Sequence, residues 1–158
     1  MTSVSNLPCP PFPRAGQQRS YWRAPHSPSA MALAISQAAR QHDGLILAIT
    51  RDTHSASALE NDLRIVAGDL PLLHFPDWET LPYDLFSPHP DIVSQRIAAL
   101  YRLPSINRGI LVVPVASLMQ RLSPPDWIAG NVLDLHKGQK LDLDQEKRRL
   151  EASGYRHV

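Results

Sequence analysis

Two short apolar runs, Leu45 to Thr50 (LILAIT) and Ile110 to Val113 (ILVV), limit what this chain can fold into more than any other feature. Each is hydrophobic at both alternating positions, and each is preceded by turn residues, Asp43-Gly44 and Arg108-Gly109. Such strands belong inside a sheet that is covered on two sides. Helical periodicity fills the space around them. Ser27-Pro28 offers an N-cap and a first-turn proline ahead of Met31, Ile35, Ala38 and Ala39. A second stripe, Ala56, Leu59, Leu63 and Val66, starts near Thr53 and ends at Gly68. Leu72 to Phe75 reads as a short strand. Val93, Ile97, Leu100 and Tyr101 mark a third helix, capped by Asp91 and closed by Pro104, and Val115, Leu118, Met119 and Leu122 a fourth, stopped by Pro124-Pro125. Strands alternating with helices, with no hairpin signal, predict an α/β fold. Its sheet should be largely parallel, with right-handed crossovers and helices on both faces.

The stretch Phe75 to Arg96 (FPDWETLPYDLFSPHPDIVSQR) interrupts this alternation. It carries Pro76, Pro82, Pro88 and Pro90, each of which fixes its own φ and biases its predecessor towards extended backbone, so no helix runs through it. Trp78, Tyr83, Leu85 and Phe86 are too apolar for a solvated loop. The segment is expected to lie across the domain with these side chains buried and Asp77, Glu79 and Asp84 in solvent. On that reading Trp78→Ala costs about 2 to 4 kcal/mol.

Residues 1–26 hold five prolines and few apolar residues, which predicts a poorly ordered tail pinned at most by Phe12, Tyr21 and Trp22. From Asn131 the character shifts. Val132, Leu133 and Leu135 suggest a less hydrophobic strand, Gly138 a turn, and Asp142 with Gln145 a capping-box-like start to a helix holding Leu143, Leu150 and Ala152. Gly154 ends that helix, and Tyr155 to Val158 reads as the opening of another strand. The expectation is a fragment cut inside a second small domain.

The 158 residues are 43% apolar, enough to bury a core, and 16 Lys and Arg against 15 Asp and Glu leave a net charge of only +1. The chain as a whole therefore lacks the field that draws in nucleic acid or an anionic membrane. Cys9 has no partner cysteine, which fits a reducing compartment, and no apolar run approaches the roughly 18 to 20 residues of a spanning helix. No membrane partner and a cytoplasmic location are expected.

The chemical motifs are mostly negative. A phosphate-binding loop needs glycines, so that backbone N–H groups can wrap the phosphates, and a Lys followed by Ser or Thr. Residues 22–29 (WRAPHSPS) lead into the first helix with no glycine and no lysine, and their prolines remove two donors. His74, Asp77, His89 and Asp91 match no metal-ligand spacing, and Ser27, Ser87 and His89 no nucleophile motif. No catalytic, cofactor or metal residue is assigned. Lys147-Arg148-Arg149 between Glu146 and Glu151 looks like a solvated helix face. Two rival readings remain open. One is a nucleotide-binding, Rossmann-like α/β domain or enzyme with a crevice at the strand ends. The other is DNA binding through Arg96, Arg102 and Arg108, or base stacking on Trp78, Tyr83 and Phe86.

The series Asp77-Trp78-Glu79-Thr80-Leu81-Pro82-Tyr83-Asp84, then Phe86-Ser87-Pro88-His89, Asp91-Ile92 and Arg96, resembles the N-terminal region of the bacterial transcription-repair coupling factors (the Mfd family). The likeness continues through Leu100-Tyr101, Leu103-Pro104, Arg108-Gly109, Val113-Pro114-Val115, Leu118-Met119-Gln120-Arg121, Lys137-Gly138-Gln139 and Gly154 to Val158. It covers about residues 75–158 firmly and 27–74 by element order. In that family this module is similar to the repair protein UvrB. The resemblance implies a degenerate RecA-like (P-loop NTPase-type) domain over residues 27–128 and, over 129–158, the start of a small inserted α/β domain that binds UvrA. It also implies a non-catalytic recruiting role in transcription-coupled nucleotide excision repair, with partner-binding residues sought at Lys147, Arg148 and Arg156. An ATP-dependent DNA translocase, contacts to double-stranded DNA and a module for RNA polymerase would belong to other parts of the full-length protein. No cofactor is expected in this segment. Neither a phosphate-binding loop nor room for a damage-gripping hairpin, both features of UvrB, is present between the elements.

Overall fold

The structure is a computed structural model describing residues 9–12, 16–23, 27–80, 85–133, 135 and 137–154. The chain folds as two compact units, Met1–Arg121 and Leu122–Val158.

In the first unit the order is α1 (Pro28–Gln41), β1 (Leu45–Thr50), α2 (Thr53–Val66), β2 (Leu72–His74), α3 (Pro90–Arg102), a 3-10 turn (Leu103–Ser105), β3 (Gly109–Pro114) and α4 (Val115–Leu118). The three strands form one parallel sheet in the order β1-β3-β2, with Leu45 opposite Gly109 and Leu72 opposite Ile110. This is the degenerate RecA-like α/β arrangement expected from the sequence, with β3 at its centre.

β3 sorts its residues by parity. Ile110 and Val112 are fully buried in one core with Ala32 and Ala39 of α1, Ala56 and Leu63 of α2, and Ala48 of β1. Val113 turns to the other face, where with Phe75 and Ala99 it forms a second core against which Leu100 and Leu111 pack. The alanines of α1 let the backbones of α1 and α2 approach closely. Their carboxyl ends are then joined by side chains. Arg40 donates to Val66 O at 3.3 Å and Ala67 O at 3.0 Å, and Ser36 Oγ to Val66 O at 3.1 Å. Arg108 in turn donates from Nε to Ala39 O at 3.1 Å and from Nη2 to Arg40 O. Carbonyls that a helix end leaves without partners are thus met by guanidinium groups, the charge a helix C-terminus favours.

Several sequence expectations change here. β1 lies at an edge of the sheet, and Leu47 and Ile49 on its outer face are 47% and 54% exposed. α3 packs beside β2, and no described helix reaches across to cover that half of the face. Leu85 and Phe86 are not buried but 97% and 77% exposed, and Tyr83 and Asp84 lie outside the described residues. α3 begins two residues earlier than a cap at Asp91 would place it, with His89 as the cap, Pro90 in its first turn and His89 Nδ1 accepting from Asp91 N at 3.2 Å. It ends at Arg102, and Pro104 sits in the turn beyond. β2 is assigned to His74, although Phe75 N still donates to Val112 O at 2.9 Å. In the tail, Phe12 stacks on His42 at 5.7 Å, Trp22 is half-buried, and Tyr21 is left in solvent.

The second unit holds α5 (Pro125–Asn131) and α6 (Leu143–Ala152). Asp142 caps α6, accepting from Asp144 N and Gln145 N, both at 3.1 Å. Arg149 Nη2 donates to Gly130 O at 3.0 Å and Ser153 Oγ bonds Asn131 Oδ1 at 3.2 Å, tying α6 to α5. α5 replaces an expected stop, because Pro125 at a first helical position starts a helix as readily as a proline ends one. The strand expected at Val132, Leu133 and Leu135 is not formed, and no neighbour pairs with it among the described residues. Residues 155–158 lie outside them.

At Gly109, β3 passes close to the chain entering β2. A Cβ there would stand 2.5 Å from the Pro71 carbonyl oxygen, which is backbone and itself accepts from Ile110 N at 2.8 Å. Gly109→Ala should lower stability by about 2 kcal/mol or more in a urea titration, as overpacking does; an unchanged midpoint contradicts the β2-β3 register.

Candidate functional site

Open parallel α/β sheets place ligands at the carboxyl ends of their strands. Here that position is a cleft of about 510 Å³ at the end of β1, between the first turns of α1 and α2, lined by Pro28, Met31, Ile49, Thr50, His54 and Ser55 among others. The lining is largely apolar and includes no lysine. At α1, Ser27 makes no capping bond and Pro28 brings no N–H. At α2, the chain supplies its own anion. Asp52 Oδ1 accepts from Ser55 N at 2.7 Å, and Arg51 Nε holds Oδ2 at 2.9 Å. These bonds, the Ser55 amide foremost, keep the Asp52 carboxyl well below the usual carboxylate range. The place a phosphate would take at this helix end is filled by a carboxylate.

The other polar constellation is structural and centres on Arg96. The residue is 3% exposed, and its guanidinium lies between two rings, 4.1 Å from the centroid of Phe75 and 4.0 Å from that of Trp78. Nη1 donates to Pro76 O, and Nη2 to Gln120 Oε1 at 2.8 Å. Gln120 passes the contact on, its Nε2 donating to Asp77 Oδ1 at 2.7 Å, and Ser117 Oγ bonds the same oxygen at 3.4 Å. Burial works against the Arg96 charge and the Asp77 carboxylate works for it. Asp77, expected in solvent, is therefore half-buried and bound. The signal for Arg96 was its place between Val93 and Leu100 on the buried stripe of α3. Asp77 gave none, because its partners lie about forty residues away.

The remaining candidates are dispersed. His74 Nδ1 lies 2.6 Å from Glu60 Oε2, while its Nε2 is buried without a partner among the described residues. The His74 bond, ahead of that from Arg64, lowers the Glu60 pKa against the opposing effect of burial. His89 and Asp91 are spent at the start of α3. No three His, Cys, Asp or Glu side chains among the described residues come together as a metal site. Of the three arginines considered for DNA, Arg96 is buried, Arg108 caps α1, and Arg102 is exposed with no side-chain partner among the described residues. Lys147 and Arg148 are exposed on α6. Arg149 beside them is held by Gly130 and pairs with Glu146 at 3.6 Å. Arg156 lies outside the described residues. No helix among the described residues is long and apolar enough to cross a membrane.

Fold and site together define a degenerate RecA-like α/β unit whose strand-end cleft lacks a phosphate-binding loop. The sequence is 47% identical over 131 residues to the transcription-repair-coupling factor of Haemophilus influenzae and 40% identical over 145 residues to that of Escherichia coli. These matches cover 83% and 92% of this chain. The Staphylococcus aureus factor is 28% identical over 82% of it. The chain belongs to the transcription-repair-coupling factor family, as a segment matching the N-terminal region. It spans only 11% to 12% of the length of these relatives. No family model matches it.

Two outcomes test the site. Arg96→Ala should lower stability by about 3 to 5 kcal/mol, and Arg96→Lys should restore less than half of that loss, because an ammonium cannot lie flat between two rings while donating to two acceptors. Equal stability of the Lys variant and the parent contradicts the stacking role. Asp52, whose carboxyl is depressed in the folded chain, contributes stability above its unfolded value of 3.8 and loses it as pH falls through the folded value. The difference in melting temperature between the parent and Asp52→Asn should therefore be full at neutral pH and shrink below about pH 4; a difference that grows on acidification contradicts the cap.

Proposed function

We propose that this chain is a non-catalytic interaction module of a transcription-repair coupling factor, one that recruits UvrA in transcription-coupled nucleotide excision repair. The observation that carries this reading is the 47% identity to a named coupling factor, joined to a strand-end cleft whose helix starts are closed by Pro28 and Asp52. A sheet of this type that holds no phosphate serves as a rigid platform, and its interactions pass to its surfaces. In the longer protein, ATP-driven translocation on double-stranded DNA and contact with RNA polymerase belong to other segments, and the site of action is the cytoplasm. UvrA is met through the second unit, where Lys147 and Arg148 of α6 stand in solvent and Arg156 follows.

The test is a titration of UvrA with the chain continued through about 60 further residues of its reading frame, the length a small α/β insert needs. Saturable binding is expected, weakened at least tenfold by the double change Lys147→Glu, Arg148→Glu. No binding by the continued chain overturns the recruiting role.

A further inference from the structure

We propose that the free edge of β2 takes an extended segment of a partner protein that carries acidic side chains. The ladder between β2 and β3 starts with Ile110 N donating to Pro71 O and ends with Phe75 N donating to Val112 O. In a parallel pair this fixes the alternation: Leu73 turns its N–H and C=O towards β3, and Leu72 and His74 turn theirs away. Among the described residues β2 has no second neighbour in the sheet. Those outward groups therefore offer two donors and two acceptors to a further strand, the mode in which extended peptides add to a sheet edge.

The edge opens into a cleft of about 440 Å³, walled by Glu60 and Arg64 of α2 on one side and by Gln95, Ala98 and Arg102 of α3 on the other. An added strand would point alternate side chains at the two walls. The charges of the cleft decide what it accepts. Glu60 is already held by His74 and by Arg64, both at 2.6 Å, so its carboxylate is neutralised within the chain. Arg64 remains 68% exposed, and Arg102 has no bonded partner among the described residues. The cleft is left with an excess of positive charge along an unpaired edge. A second copy of this chain is a poor occupant, since its own β2 would bring Arg64 and Arg102 against the same residues. The surface lies on the first unit and is independent of the UvrA reading.

The probe is an acetylated, amidated octapeptide of alternating threonine and glutamate, with alternating threonine and lysine as its control, added to the 158-residue chain while amide hydrogen exchange is followed by NMR. The acidic peptide should slow exchange at Leu72 and His74 at least tenfold and the basic one should not. Arg102→Glu should weaken the effect at least tenfold, with Arg102→Gln intermediate and the amide spectra of both variants otherwise preserved. Equal protection by both peptides, protection at β1 in place of β2, protection that follows chain concentration without peptide, or an effect unchanged in both variants overturns the proposal.

Discussion

A guanidinium buried between two aromatic rings holds the long connection after β2 against the sheet. Burying a lone charge costs several kcal/mol, so Arg96 is stable there only because its surroundings answer it on every side. Phe75 and Trp78 offer their faces, the Pro76 and Gln120 oxygens accept its hydrogen bonds, and the Asp77 carboxylate lies one side chain away. Three pieces of chain separated in sequence, the end of β2, the middle of α3 and the residues after α4, meet at this one group. A cation stacked between rings is worth about 2 kcal/mol or more when water is excluded. That is enough to set the path of a segment too rich in proline to pair with anything.

The two sheet faces follow different rules. On the face of α1 and α2, small residues allow close packing, and the arginines at positions 40 and 108 tie the helix ends to one another. On the other face α3 and the Arg96 cluster cover β2 and β3, and among the described residues nothing covers Leu47 and Ile49 on the outer side of β1. Among the described residues the sheet has one covered face and one half-covered face, bounded by two edges of unlike character. That of β1 is apolar, and that of β2 runs along a polar cleft.

Most of the first unit was legible from local signals. The apolar runs at 45–50 and 110–113 became strands. Ser27-Pro28 and the region around Thr53 gave the starts of α1 and α2, and Asp142 with Gln145 gave that of α6, because caps and first-turn prolines act over three or four residues. What escaped depends on distance. Nothing in LILAIT distinguishes an edge strand from a central one. Leu85 and Phe86 looked buried because they are apolar, yet the connection that holds them is pinned upstream, at Phe75 to Trp78. Pro124-Pro125 carried two opposite meanings, helix stop and helix start, and the structure took the second. The strand-end cleft was legible in its chemistry, through the glycine-free, lysine-free run at 22–29. Only the structure revealed the Asp52 carboxylate at the start of α2.

The proposed role makes this RecA-like sheet a platform that holds no nucleotide. Its most direct test is calorimetric titration of the chain with magnesium and ATP at concentrations up to about 1 mM, where a 1 mM dissociation constant corresponds to about 4 kcal/mol of binding. The account predicts heats no larger than those of dilution. A saturable isotherm that is lost when Thr50 and Ser55 in the cleft are replaced would contradict it.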